Sequence, residues 1–346
     1  MLKTDTESIL KSVSRSFYLS LRVLPSALRP VMGLGYLLCR AADTLTDEEV
    51  IPSAERLKTL KAFRALFDAF PISKEKSQTF LKTLTENRSL PQTSEGLLLF
   101  TLPRIIESFN ALAMTDQALV HQVVQAVTQG MEMDLSSFGD GVETLKAFQM
   151  EKELETYIGL IGGEPGRFWI QACLHHIPAL TREDDRLQLI EQGFLFGTGL
   201  QMVNILRDLP KDLMRGRCYI PEERLSEHTL SVSELLDKEK NEIFLPLYHE
   251  LIDETLERLR HGLTTLESIP AGYFRLRAAI WWPLVIGVRT LEKLRLSPVV
   301  LGSVEPVKVK RFDIYKLMIF SLFLLPSNRL LRQEFDYQRR GASSSL

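Results

Sequence analysis

The segment from Gln201 to Pro221 contains the residues best suited to chemistry, and it reads QMVNILRDLPKDLMRGRCYIP. Asp208 and Asp212 are four residues apart, so a helix places both carboxylates on one face, one turn from each other. Asn204 and Gln201 extend that face toward the N-terminus. Mg²⁺ takes oxygen ligands and is typically held by one or two carboxylates together with substrate phosphates. The spacing therefore indicates a candidate magnesium and phosphate site.

Two like charges at this spacing repel each other unless a positive charge neutralises them. Lys211 or Arg215 could supply that charge, and this is the simpler interpretation. A second copy of the pattern favours a divalent cation instead, because Arg40 is followed by Asp43 and Asp47 in CRAADTLTDEE, after an apolar helical run. Two such faces, opposed across a cavity, could hold a diphosphate group through Mg²⁺, as expected of an enzyme that acts on isoprenyl chains.

Three segments give the chain a resemblance to the squalene/phytoene synthases. They are SRSFYL at 14–19, YLLCRAADTLTD at 36–47 and NILRDLPKDLMRGRCYIP at 204–221, and both their order and their spacing fit. The resemblance extends from about Ser14 to Arg311. It implies an all-α, single-domain helical bundle of the isoprenoid synthase type, built around a central cavity.

The resemblance also implies a reaction. Two farnesyl diphosphates condense head to head to presqualene diphosphate, which NADPH then reduces to squalene. The motif DTLTD at 43–47 is closer to the corresponding motif of squalene synthases than to the DExxD motif common in phytoene synthases. A phytoene or dehydrosqualene synthase, which needs no reductant, is the alternative, and a catalytically inactive helical assembly protein is a third interpretation. The expected cofactors are Mg²⁺ and NADPH.

Site residues carry over from the matched motifs, one position at a time. The expected metal ligands are Asp43, Asp47, Asp208 and Asp212. Substrate contacts are expected at Ser14, Ser16, Phe17, Tyr36, Arg40, Gln201, Asn204, Arg207 and Arg217. The resemblance implies that Tyr157 is the acid/base group during cyclopropane formation, and that Lys308, Lys310 and Arg311 in the basic strip VKVKR bind the cofactor's phosphates.

The elements that must position these residues are helices, because apolar residues recur at spacings of three and four and no convincing β alternation is present. Long helices are expected over 27–47 and 191–208, with Pro210 ending or kinking the second. Glycines within them, Gly33 and Gly35 in the first and Gly193, Gly197 and Gly199 in the second, are expected to need close packing.

Lys211 stands where the family often has an acid, so Asp208 is expected to matter more than Asp212. Glu164-Pro165 replaces a usually apolar pair, which makes the local helix geometry uncertain. His175 and His176 have no acid or cysteine at ligand spacing and are interpreted as structural.

Composition sets the remaining expectations. The chain has 346 residues, 45% of them hydrophobic, and a formal charge of −2, so nothing points to nucleic acid. Three widely separated cysteines and the lack of an apolar leader predict a cytoplasmic protein with reduced thiols. We expect residues 1–335 to form one domain, 336–346 to be a disordered tail, and the protein to be a monomer.

One apolar run leaves two interpretations open. Residues 317–325 are broken only by Ser321, and nine residues cannot span a hydrocarbon core of about 30 Å. A buried helix is the first interpretation. An interfacial contact with the inner face of the cell membrane is the second.

Overall fold

The structure is a computed structural model. It describes residues 4–14, 21, 23–47, 50–69, 71–87, 93–140, 144–297, 300–302 and 311–343. Almost all regular structure in these ranges is helical, which confirms the all-α class. The chain divides into two compact units. Unit 1 comprises Met1–Asp140 and Phe168–Ala179, and unit 2 comprises Gly141–Arg167 and Leu180–Leu346.

The helices that lie entirely in unit 1 are α1 (Thr4–Ser14), α2 (Arg29–Thr46), α3 (Ser53–Ala65), α4 (Lys74–Asn87), α5 (Ser94–Phe100), α6 (Leu102–Asn110) and α7 (Met114–Phe138). Those of unit 2 are α8 (Glu151–Ile158), α10 (Arg186–Met214), α11 (Glu222–Glu227), α12 (Asn241–Ser268), α13 (Phe274–Arg295), α14 (Arg311–Leu324) and α15 (Asn328–Ser343). Helix α9 (Glu164–His176) begins in unit 2 and ends in unit 1.

Helix α2 forms much of the core of unit 1. Leu34, Leu37, Leu38 and Ala41 are almost completely buried, and their spacing of three and four residues gives the helix one continuous apolar side. Gly35 faces the ring of Phe168, and a Cβ at this position would lie 2.9 Å from that ring's Cζ atom. The close packing expected of the glycines in this helix is therefore present at Gly35.

A buried arginine holds the C-terminal end of α2. Arg56 on α3 is 1% exposed, and its Nη1 donates to the carbonyl of Thr46 at 2.8 Å. Its Nη2 donates to Asp140 at 2.9 Å, and Asp140 also accepts from the backbone and hydroxyl of Ser53. These bonds fix the last residue of α2, which directly precedes Asp47.

Close backbone contacts between glycines bring α10 against the segment that follows α8. Gly159–Gly163 forms one wide helical turn with π-type hydrogen bonding, and a Cβ on Gly162 would collide with the carbonyl oxygen of Gly197. A Cβ on Gly166 would collide with that of Gly193 in the same way. The glycines of α10 were expected to pack closely, and these two do.

Pro165 directly follows the π-type turn. That turn ends at Gly163, and the helical backbone continues into α9 at Glu164, whose N–H donates to the carbonyl of Gly159. This resolves the local geometry that the Glu164-Pro165 pair left uncertain.

Pro210 does not end α10, so the first of the two predicted outcomes, an end or a kink, is wrong. The helix continues through Pro210 to Met214. A proline cannot donate to the carbonyl four residues earlier, here that of Leu206. The hydroxyl of Tyr248 on α12 donates to this carbonyl instead, at 2.9 Å and fully buried. Since the backbone acceptor is satisfied from outside the helix, the helix continues.

The C-terminal segment also differs from the prediction, because α15 continues to Ser343 through most of the expected disordered tail. Gln338 is buried and accepts a hydrogen bond from Arg289 at 3.1 Å. Arg277 of α13, 1% exposed, donates to the carbonyls of Leu325 and Ile269 and to the side chain of Asn328. These contacts order the start of α15.

The apolar run in α14 has two different sides. Leu317, Ser321 and Leu324 are buried, and Trp282 donates from its indole to the hydroxyl of Ser321 at 3.0 Å. The other side exposes four large apolar side chains, which are Ile319 (64%), Phe320 (53%), Leu322 (55%) and Phe323 (74%). The interpretation of a fully buried helix therefore applies to one side only.

Candidate active site

Four of the expected site residues lie on successive turns of α2 and its C-cap. Tyr36, Arg40 and Asp43 are half-buried, and Asp47 is exposed at the C-cap position. The hydroxyl of Tyr36 donates to the carbonyl of Val13 at 3.3 Å. The helical period that predicted a shared face for these residues is therefore confirmed.

Arg40 is held between two acids. Its Nη1 forms an ion pair with Asp43, and its Nη2 donates to Glu95 in the first turn of α5 at 3.1 Å. Its Nε is buried and makes no hydrogen bond to any described residue. A buried N–H without an acceptor is costly, so this atom is suited to an oxygen atom of a bound anion.

The electrostatics of this face favour a cation. Burial, together with the negative charges of Asp47 and Asp134, raises the pKa of Asp43 to about 6, although Arg40 opposes the rise. Asp134 lies on α7, so acids from two helices share this location. Because Arg40 also pairs with Glu95, the negative charge exceeds the positive charge. A divalent cation would restore the balance.

The second acid face lies on α10. Arg207 binds the neighbouring Asp208 with two hydrogen bonds, Nε to Oδ1 at 2.9 Å and Nη2 to Oδ2 at 2.6 Å. The hydrogen bond to Asp208 raises the pKa of Arg207 above its usual value, although burial opposes it. Asp212 follows one turn later on the same helix, because α10 continues through Pro210. Asn204 and Gln201 lie one and two turns before Asp208 on this helix, and the Nδ2 of Asn204 is 3.4 Å from the Oε1 of Gln201.

A short parallel ladder positions Arg217. Gly216 has φ +74°, a left-handed conformation that turns the chain out of α10. Strand β2 (Arg217–Cys218) then pairs with β1 (Lys146–Ala147). Burial raises the pKa of the Cys218 thiol to about 12, and the charge of Asp212 adds to this rise, which places Asp212 near β2.

Tyr157 belongs to a buried aromatic cluster. Its ring stacks on that of Tyr219 with centroids 4.9 Å apart and planes at 21°. Phe148 contacts both rings, with centroids 5.7 Å from Tyr157 and 5.8 Å from Tyr219. The tyrosine lies at the end of α8, directly before the π-type turn, and such turns are frequent at functional sites.

The remaining predicted site residues fall outside what the structure describes. Ser16, Phe17, Lys308 and Lys310 lie in undescribed segments, and the side chains of Ser14 and Arg311 are likewise outside the description. Their roles stay predictions.

Sequence reasoning missed several residues that contact the expected ones. Glu95 and Asp134 were not singled out. Tyr219 and Phe148 were missed as partners of Tyr157. The available signal for Tyr219 was its place within the matched motif at 204–221, and the sequence has none for Glu95, which lies 55 residues from Arg40.

Comparison with known proteins decides the family. The family model described as squalene/phytoene synthase matches residues 10–313. The chain belongs to the squalene/phytoene synthase family. This match includes both acid faces, Tyr157 and Arg217.

Individual squalene/phytoene synthase relatives are distant. The chain is 27% identical over 290 residues to a bifunctional lycopene cyclase/phytoene synthase of Gibberella fujikuroi, covering 83% of this chain and 47% of that protein. It is 25% identical over 320 residues to the squalene synthase of Schizosaccharomyces pombe, covering 91% and 64%. The chain thus spans about half the length of the fungal bifunctional relatives.

A solved structure supports the fold. The complex of TcSQS with the ligand E5700 superimposes with a TM-score of 0.73 at 18% identity, covering 98% of this chain and 96% of the other. Within the residues described, no helix combines the length and the apolar character needed to cross a membrane.

Proposed function

We propose that this member of the squalene/phytoene synthase family condenses two farnesyl diphosphates head to head to presqualene diphosphate and reduces that product to squalene with NADPH. The observation that carries the proposal is the repeated arrangement on α2 and α10. On each helix an arginine binds an aspartate, and a second aspartate follows one turn later. Family membership makes a prenyl diphosphate the expected substrate.

Mg²⁺ fits the donors of both faces. Asp43 and Asp47 would hold it on α2, and Asp208 and Asp212 on α10, since hard cations prefer carboxylate oxygens. The raised pKa of Asp43, to about 6, supports this assignment, because burial and the negative charges of Asp47 and Asp134 disfavour its carboxylate form, which a bound cation would stabilise. When bound, Mg²⁺ supplies positive charge to the departing diphosphate.

The arginines of each face are suited to stabilise a leaving diphosphate. In unit 1 the unpartnered Nε of Arg40 is a donor for a phosphate oxygen, and in unit 2 Arg207 and Arg217 supply positive charge. Charge accumulates on the diphosphate as the C–O bond breaks, so cations already in place lower the barrier to ionisation. Ser14, Ser16, Phe17, Tyr36, Gln201 and Asn204 complete the proposed substrate contacts.

Tyr157 is proposed to assist proton loss. Diphosphate departure leaves an allylic cation, the double bond of the second farnesyl chain attacks it, and loss of a proton closes the cyclopropane ring. The faces of Tyr157, Tyr219 and Phe148 are electron-rich and can stabilise positive charge. Their burial also keeps away water, which would trap the cation as an alcohol.

The reductive half of the proposal depends on the family resemblance. NADPH would supply a hydride after the cyclopropyl diphosphate ionises, with Lys308, Lys310 and Arg311 binding its phosphates. An enzyme that makes phytoene or dehydrosqualene without a reductant is the second candidate. The relative from Gibberella favours it, because its name includes phytoene synthase. A catalytically inactive assembly protein is a weaker candidate, because it would have no need to keep both arginine–aspartate pairs.

Product analysis tests the proposal. Purified protein is incubated with farnesyl diphosphate and Mg²⁺, with and without NADPH, and the products are identified by mass spectrometry. Squalene with NADPH and a cyclopropyl diphosphate without it is the expected result. Dehydrosqualene regardless of NADPH, or turnover only with geranylgeranyl diphosphate, would reject squalene synthesis and support the second candidate. No turnover of either substrate would support the inactive protein.

We also propose that the enzyme is a cytoplasmic monomer that contacts the membrane surface through α14. Phe320 and Phe323 are more than half exposed, and Lys316 at one end of this side is exposed as well. Exposed aromatic and aliphatic side chains beside a cation are typical of interfacial helices. This contact would let the hydrophobic product, squalene, pass directly from the enzyme into lipid.

Flotation with anionic phospholipid vesicles tests the membrane contact. The variant Phe323→Glu should lose most vesicle binding, because it places a negative charge in the apolar patch. Phe274→Glu is a matched control, since Phe274 is 50% exposed at the start of α13. Equal binding by both variants and the unmodified chain, or no binding by any of them, would exclude α14 as the contact.

A further inference from the structure

Three potential metal ligands meet in unit 1, at the junction between the end of α9 and the start of α7. His175 and His176 are the last residues of α9, and Asp116 lies in the first turn of α7. The Nε2 of His176 is 2.9 Å from Oδ1 of Asp116. One ligand atom from each of the three side chains lies within 4.8 Å of the other two.

An ordinary hydrogen bond between His176 and Asp116 explains only part of this arrangement. Asp116 is 6% exposed, and a buried carboxylate needs a polar partner, which His176 supplies. His175 has no such explanation. Its ring packs edge-on against that of His176 with centroids 5.0 Å apart, and its nitrogens make no hydrogen bond to any described residue. An exposed imidazole thus faces a carboxylate that is already paired.

We propose that Asp116, His175 and His176 form a binding site for a divalent transition metal of the Zn²⁺ type. Two imidazoles and one carboxylate are a common three-residue ligand set for Zn²⁺, and a water molecule completes the tetrahedron. Because metal–ligand bonds are about 2.0–2.2 Å long, tetrahedral ligand atoms lie roughly 3.3–3.6 Å apart. The site closes when the side chains rotate inward from separations of up to 4.8 Å. His175 is exposed, which leaves one side open for the water.

This site is separate from the acid face of α2. Asp134, whose charge raises the pKa of Asp43, lies 134 − 116 = 18 residues beyond Asp116 on the same helix α7. At 1.5 Å per residue, that is about 27 Å along the helix axis. The two sites also differ in ligand preference, because Mg²⁺ favours octahedral oxygen ligands and imidazole suits Zn²⁺. The metal would link the end of α9 to the start of α7 and take no part in diphosphate chemistry.

Calorimetric titration of the full chain with ZnCl₂, after chelator treatment and in excess MgCl₂, tests the proposal. The expected result is one site per chain, with at least a tenfold loss of Zn²⁺ affinity in His175→Ala and in Asp116→Asn. Thermal unfolding gives a second readout, because a metal that binds only the folded state raises the melting temperature. That rise should occur in the unmodified chain and be absent in His175→Ala. The exposed position of His175 makes this variant safe for folding.

A matched control separates the site from ordinary histidine–carboxylate pairs. The Nε2 of His228 lies 3.2 Å from Oε2 of Glu250 in unit 2. Among the described residues, this pair has no third potential metal ligand close enough to complete a site. His228→Ala should therefore bind Zn²⁺ as the unmodified chain does. Failure of the unmodified chain to bind Zn²⁺ would overturn the proposal, and so would unchanged affinity in His175→Ala. Zn²⁺ binding lost in Asp43→Asn and kept in His175→Ala would also overturn it, by placing the metal on the acid face. None of these outcomes depends on which prenyl product the enzyme makes.

Discussion

The acid face of α2 in unit 1 and that of α10 in unit 2 share one pattern, an arginine and two aspartates four residues apart. On α10 the arginine is next to its aspartate in sequence, and Arg207 binds Asp208 through both carboxylate oxygens. On α2 the arginine is shared, because Arg40 binds both Asp43 and Glu95. The charge of the first face is therefore assembled from three helices, whereas the arginine–aspartate pair of the second is local.

The difference shows that a short motif specifies its ligands but not its electrostatic environment. Both motifs place two carboxylates on one helical face, and the helical spacing alone is sufficient for that. Burial of α2 at this point is the largest cause of the rise in the pKa of Asp43 to about 6, the charge of Asp47 adds to it, and Asp134 of α7 makes a smaller contribution. We infer that the face on α2 has the greater need for a metal ion before substrate binds.

The largest expected effect is loss of turnover in Asp43→Asn and Asp208→Asn. Each change removes a proposed metal ligand at the point where charge would develop, and losses of this kind amount to about 10²–10³-fold in kcat. Asp212→Asn should cost less than Asp208→Asn, because Lys211 stands where a further acid would support Asp212. The measurement is steady-state turnover of farnesyl diphosphate at saturating Mg²⁺.

Exposed aspartates provide the controls for this comparison. Asp68→Asn in unit 1 and Asp184→Asn in unit 2 should leave turnover within about twofold, as surface changes away from a site usually do. If Asp43→Asn or Asp208→Asn kept more than about a tenth of the activity, that face would not be a metal site. Equal losses in Asp208→Asn and Asp212→Asn would show that Lys211 has no influence.

Tyr248→Phe tests what keeps α10 continuous. The change leaves the carbonyl of Leu206 buried and without its donor, which should lower the free energy of unfolding by about 1–3 kcal/mol. Pro210→Ala restores a backbone N–H that can donate to the same carbonyl. The cost of Tyr248→Phe should therefore be smaller in the Pro210→Ala background, as measured by urea unfolding.

The double-mutant cycle decides whether the hydroxyl compensates for the proline. Tyr337→Phe is the control, because Tyr337 is 70% exposed and the change should have almost no effect on stability. An equal cost of Tyr248→Phe with and without Pro210 would mean that the tyrosine stabilises the helix in another way.

Glu95→Gln should have a moderate effect, and only on the face formed by α2. Glu95 holds one side of the Arg40 guanidinium, and both side chains are 27–28% exposed, so their bond contributes about 1 kcal/mol after solvent screening. That corresponds to about a fivefold fall in kcat/KM. Glu55→Gln, at an exposed position of α3, is the control. No change in Glu95→Gln would show that Asp43 alone is sufficient to position Arg40.

The sequence was sufficient for whatever is local along a helix. The spacing of Asp43 and Asp47, and of Asp208 and Asp212, placed each pair one turn apart, and the glycines of α10 indicated close packing. The motifs also carried the family resemblance. These inferences hold because the helical period converts sequence distance into spatial distance directly.

Contacts made across long sequence distances could not be predicted in this way. Asp116 is 60 residues from His176, so no sequence spacing pairs the histidines with an acid. Pro210 was expected to end or kink α10, because its substitute donor comes from Tyr248, 42 residues from the carbonyl it binds. The tail was expected to be disordered, because its composition does not reveal the buried contact of Gln338.

The smallest expected effect is a difference in pH dependence between unmodified protein and Asp43→Asn, measured without metal. The pKa of Asp43 in the folded state is about 6, above the usual value of about 3.9 for an unfolded chain. The folded state therefore binds more protons between these values, so the stability of the unmodified protein relative to Asp43→Asn should be greatest below about pH 4 and fall as the pH rises to about 6.

Above about pH 6 this difference in stability should no longer change with pH. Mg²⁺ should stabilise the unmodified protein only, and so recover part of the stability lost between pH 4 and 6. Asp208→Asn, measured by the same thermal melts in chelator, provides the comparison between the two faces. If Asp43→Asn and the unmodified protein showed parallel pH profiles from pH 4 to 7, the excess negative charge assigned to α2 would be wrong.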